Sequence, residues 1–70
     1  MEIVKNGKPL LRMPKNFEGG CRDGTVFIMI DDESEFVLSE YANFDRASEV
    51  LDDLSKAFIS NEKEFVMPET

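Results

Sequence analysis

The sequence predicts an α+β fold: a small antiparallel β-sheet, ordered β-β-loop-β-β-α-β, with one amphipathic helix packed on one face. Three observations predict it. Residues 44–58 carry apolar side chains at helical spacing. Thr25–Ile30 is continuously apolar and rich in β-branched and aromatic residues. Asn6-Gly7 and Asp23-Gly24 are hairpin dipeptides, because tight two-residue turns need residues that tolerate positive φ. With 70 residues, a chain buries only roughly 60% of its unfolded surface. That leaves one domain spanning residues 1–70.

In chain order, Met1-Glu2-Ile3-Val4-Lys5 is the first strand, and Asn6-Gly7 turns it back. Pro9 in the returning arm lacks a ladder donor, so Lys8–Met13 is expected as an edge strand or an irregular extended segment. Pro14–Gly24 holds three glycines and a proline without helical or strand period, and reads as a loop. Thr25–Ile30 is the central strand, and its unbroken apolarity calls for cover on both faces. Asp31-Asp32-Glu33-Ser34-Glu35 turns the chain, and Phe36–Tyr41 pairs back. Asn43 is the N-cap and Asp45 complements the helix dipole. Phe44, Ala47, Val50, Leu51, Leu54, Ala57 and Phe58 fall in one stripe about 140° wide. Asn61, after Ser60, is the left-handed cap, and Glu64–Met67 adds an extended segment before Pro68.

One helix covers one sheet face. Val26, Ile28 and Ile30 alternate with Phe27 and Met29, so a second apolar face needs the loop carrying Phe17, or a second copy of the chain. A homo-oligomer, dimer or higher, is the expectation.

Composition excludes several functions. Histidine is absent, which removes the usual neutral-pH base and the commonest zinc nitrogen. Cys21 is the only cysteine, so neither an internal disulfide nor a cysteine-rich metal site can form, and a reducing cytoplasm is expected. No apolar run reaches the ~18 residues of a membrane span, and no signal-peptide pattern opens the chain. The acidic run Asp31–Glu35 lacks the alternation and central glycine of a calcium loop, and reads as a solvated turn. No cofactor, no metal, no membrane and no enzymatic activity are expected.

The formal charge of −7 divides unevenly. Residues 1–30 hold five bases and three acids, while residues 31–70 hold three bases and twelve acids. Overall acidity disfavours non-specific nucleic-acid binding. Two working surfaces compete. Arg12, Lys15 and Arg22 flank the glycine-rich segment, where guanidinium groups and free amides suit a small anion; Tyr41 can stack on a base and Arg46 can assist. The segment is no P-loop, since no Gly-Lys-Ser/Thr and no helix follow it. Alternatively, Glu49, Asp52 and Asp53, with Glu40, Asp45, Glu62 and Glu64 on or beside the same face, make a negative helix surface suited to a basic partner protein, though Arg46 and Lys56 interrupt it.

Leu38-Ser39-Glu40-Tyr41-Ala42-Asn43-Phe44-Asp45-Arg46-Ala47 and the following Val50-Leu51-Asp52-Asp53-Leu54 resemble small proteins of phages and prophages in Firmicutes. Their pattern is a strand ending Leu-x-x-Tyr, a capped Arg-Ala helix start and Val-Leu-x-x-Leu. Phe65-Val66-Met67-Pro68-Glu69 is similar to their Phe-x-Met-Pro-Glu tail. The resemblance covers about half of the chain and carries no catalytic motif. It implies a phage accessory protein in the host cytoplasm, of a class that includes inhibitors of host defence. The resulting expectation is a homo-oligomeric sponge for a small nucleotide immune signal. The alternatives are an acidic inhibitor of a basic host protein, such as a nucleic-acid mimic, and a structural or regulatory phage protein.

Overall fold

The computed structural model describes residues 1–14, 17–30 and 34–70. Six strands and one helix follow one another as β1 (Glu2–Lys5), β2 (Lys8–Arg12), β3 (Glu18–Arg22), β4 (Thr25–Met29), β5 (Glu35–Glu40), α1 (Phe44–Ile59) and β6 (Glu64–Val66). The α+β class is as predicted, with the strands divided between two sheets, β2-β1-β6 and β3-β4-β5.

The first hairpin forms where Asn6 and Gly7 adopt φ of 54° and 75°. β2 is an edge strand, and its register with β1 shifts between Ile3 and Val4, opposite the stretch that carries Pro9. Proline has no N–H for a regular ladder, which suits both features. The surprise is the third strand of this sheet. β6 returns after the helix and lies parallel to β1, Ile3 beside Phe65 and Val4 beside Val66. It joins the two ends of the chain rather than extending the central hairpin.

The segment expected as the loop Pro14–Gly24 contains β3, antiparallel to β4. Asp23, at φ 55°, turns the chain tightly enough to set Arg22 beside Thr25. The glycines here act as spacers inside a strand. A Cβ on Gly19 would sit 2.8 Å from Leu51 Cδ1, and one on Gly20 would sit 2.8 Å from the Phe27 ring. Their missing side chains let α1 settle on one face of β3 and an aromatic ring lie across the other.

Both sheets and the helix feed one core. Ile3, Met13, Val26, Ile28, Leu38, Ala47, Val50, Leu54 and Met67 are buried. The helix lies on β3 and β4. Asn43 caps it by accepting from the Arg46 amide at 2.9 Å. Its end is a Schellman turn: Glu62 N–H donates to Ala57 O and Asn61 N–H to Phe58 O, with Asn61 at φ 59°. Phe44, expected in the stripe, is 52% exposed. It is the first residue of the helix.

Cover of the second face also differs from expectation. Phe17 packs edge-on against Phe58, ring centroids 4.7 Å apart, so it closes the helix side. The outer face of β3-β4-β5 keeps Phe27 and Met29 half-buried and Val37 exposed, with the Arg22 guanidinium 4.9 Å above the Phe27 ring. Ile30 lies beyond β4 and is exposed. Among the described residues no helix is long and apolar enough to cross a membrane.

Candidate functional site

The residues expected to gather around an anion occupy separate places. Arg22 ends β3, donates to Glu35 Oε1 at 2.9 Å across the sheet, and stacks on Phe27. The hydrogen bond and charge of Glu35 raise its guanidinium pKa above the ordinary value, with a smaller contribution from Asp23. Lys15 lies outside the described residues, as do Asp31, Asp32 and Glu33 of the acidic turn.

Tyr41 and Arg46 are brought together, for a structural task. The Tyr41 hydroxyl donates to Pro68 O at 2.8 Å, and its amide donates to Gly24 O at 2.7 Å. The Arg46 guanidinium lies 5.8 Å from the Tyr41 ring centroid. Its Nε and Nη2 both donate to the Thr70 main-chain oxygen, at 3.0 and 2.9 Å, and Nη1 pairs with Glu49. These contacts clamp the C-terminal tail over the helix start. Tyr41→Phe removes the hydroxyl bond to Pro68, a net loss of about 1 kcal/mol. In a domain this size that lowers Tm by roughly 4–8 °C. A thermal melt unchanged within 1–2 °C would show that the clamp contributes nothing.

Arg12 has different surroundings. It is exposed at the end of β2 and makes no ion pair with a described residue. It lines an open cleft of about 400 Å³ with Met1, Phe58, Asn61, Glu62 and Lys63. Strand pairing builds this cleft. Glu2 pairs with Arg12 on one side and with Glu64 on the other, and the Glu2 amide donates to Lys63 O at 2.9 Å. The Schellman turn carries Asn61 and Glu62 to the rim, and Phe58, braced by Phe17, forms a wall. Two basic side chains, one acid, an amide and an aromatic residue therefore line a cleft within the size range of small-ligand sites.

Phe58, Asn61, Glu62 and Lys63 were not expected at this place. Phe58 read as core and Asn61 as a cap. Only the parallel pairing of the chain's two ends brings them to Arg12, and no local pattern announces such a pairing.

On the helix, Asp45, Glu49, Asp52 and Asp53 are all exposed. Lys56 Nζ pairs with Asp52 at 3.1 Å, and that hydrogen bond and charge raise the lysine pKa. Both bases that interrupt the acidic face are thus engaged, Arg46 by Glu49 and the tail, Lys56 by Asp52. No group of three or more potential metal ligands occurs among the described residues. No known family model, curated protein or solved structure matches the chain.

Proposed function

We propose that the protein works by binding rather than catalysis, and that it captures a small anionic ligand of the nucleotide class in the cleft beside Arg12. The carrying observation is that Arg12, Lys63 and Phe58 line one open cleft, whereas Arg22, Tyr41 and Arg46 lie outside it. A guanidinium and an ammonium supply charge for phosphate, and an aromatic face supplies a stacking surface for a base. The resemblance to phage and prophage proteins adds the setting: a host cytoplasm, with sequestration of a nucleotide immune signal as the effect on defence.

The test is thermal shift and calorimetry with ADP-ribose and a panel of cyclic oligonucleotides. Stabilisation by at least one probe is expected. Arg12→Ala should weaken it roughly 10- to 100-fold, the loss of one charge-assisted contact. Arg22→Ala should leave affinity unchanged, because that side chain does not line the cleft. Loss of binding in Arg22→Ala with Arg12→Ala unaffected would move the ligand to the outer sheet face. No stabilisation by any probe, together with recovery of one host protein in a complex that charge reversal at Asp52 and Asp53 dissolves, would overturn the cleft in favour of the acidic helix face.

A further inference from the structure

Among the described residues four strands lie at sheet edges: β2 and β6 in one sheet, β3 and β5 in the other. An exposed edge is a template for another strand, and native proteins guard it with proline, with brevity or with like charges. Three edges are guarded in this way. β2 carries Pro9 and has a base at each end, Lys8 and Arg12. β5 has an acid at each end, Glu35 and Glu40. β6 has three residues. Antiparallel self-pairing of β2 or β5 would set like charges against each other.

β3 is the exception, with Glu18 at one end and Arg22 at the other. Both project from the outer face, as does Gly20, since they alternate with Gly19 and Cys21. The two-residue Asp23-Gly24 turn makes Arg22 and Thr25 a hydrogen-bonded pair, and such pairs alternate along the ladder. The main-chain groups of Glu18, Gly20 and Arg22 therefore face β4, and those of Gly19 and Cys21 face away. No main-chain bond leads from Gly19 or Cys21 to another described element, and Gly19 is exposed.

We propose that β3 is a homodimerisation edge, pairing antiparallel with β3 of a second copy about a two-fold axis through Gly20. In that register Gly19 and Cys21 exchange main-chain hydrogen bonds with the partner's Cys21 and Gly19. Glu18 stands directly opposite the partner's Arg22, twice over. These are non-hydrogen-bonded positions, where facing side chains come closest. In the single copy the Arg22 guanidinium lies inward, over Phe27 and against Glu35; its side chain is 65% exposed, so it can swing to the free edge, exchanging Glu35 for the partner's Glu18. The two three-stranded sheets become one six-stranded sheet, and an isologous contact of this kind closes at the dimer. The inference rests on β3 alone and stands apart from the ligand reading.

The test is charge reversal with the mass read by sedimentation. The wild-type chain should double its 8.0 kDa mass as concentration rises through the micromolar range. Glu18→Arg and Arg22→Glu should each weaken the dimer roughly tenfold or more, by opposing like charges at both pairs. An equimolar mixture of the two variants should restore it, because every facing pair is then opposite in sign. Glu18→Arg keeps the Arg22–Glu35 bond, and circular dichroism checks that each variant is folded. Independently of any variant, the Gly19 and Cys21 amides of the wild type should exchange slowly when concentrated and fast when dilute. A monomer at every concentration would overturn the proposal. So would a dimer indifferent to both reversals, or assemblies that grow past two copies.

Discussion

Gly24→Ala is expected to leave the protein unfolded at 25 °C. A Cβ at this position would lie 2.1 Å from the Tyr41 carbonyl oxygen and 3.0 Å from its carbon. Both are main-chain atoms, so no rotamer change relieves the overlap. Retreat is blocked as well, because the Tyr41 amide donates to Gly24 O at 2.7 Å and Thr25 pairs with Glu40 next along the ladder. Separating the two segments breaks that bond, and with it the entry of the chain into the helix N-cap at Asn43. Overpacking against backbone costs about 3 kcal/mol or more. A single core in a chain this short supplies only about 3–5 kcal/mol in total. The companion is Gly7→Ala, where nothing lies within 4 Å of the added carbon and only the φ of 75° is unfavourable. It should cost about 1 kcal/mol and remain folded. Urea titrations followed by circular dichroism separate the two outcomes. A Gly24→Ala midpoint equal to that of Gly7→Ala would show that the turn is not packed as tightly as the structure has it.

The contrast between these two glycines also marks what was legible in advance. Asn6-Gly7 and Asp23-Gly24 both announce turns, and both turns formed, because a positive φ is a local property of one or two residues. The helix was legible for the same reason. The Asn43 cap, the Ala47–Val50–Leu54 spacing and the Asn61 left-handed exit all lie within one stretch of chain. β3 escaped notice because its glycines carry no strand signal. They are accommodated by Leu51 and Phe27, residues far along the sequence or across the ladder. The β1–β6 pairing, and with it the Arg12 cleft, depends on contacts between residues about sixty positions apart. Residue type marks a candidate, but type alone does not show which side chains are already engaged. Arg12 and Arg22 look alike in sequence, and each has an acid across its sheet, yet among the described residues only Arg22 is ion-paired, with Glu35, and lies over a ring. Tyr41 and Arg46 likewise turned out to hold the tail.

Leu54→Ala should be the most damaging truncation on the helix, and Phe44→Ala one of the mildest, although both positions share the predicted apolar stripe. Leu54 is fully buried within the cluster that includes Ile28, Leu38 and Val50. Removing its branched carbons forfeits their transfer free energy and leaves a cavity that a small, two-sheet core has little means to collapse. The cost is about 3 kcal/mol, enough to bring the folded state close to its limit. Phe44, the first residue of the helix, keeps 52% of its surface in water. Its truncation should cost under about 1 kcal/mol, since half of the ring's burial was never gained. Ile59, 79% exposed at the other end, sets the baseline near zero. Chemical denaturation of the three variants reads the rotation of the helix about its own axis. Equal losses at positions 44 and 54 would mean that the helix is turned to bury its first residue. That rotation would carry Leu51 off Gly19, and β3 would lose the contact that its missing side chain makes possible.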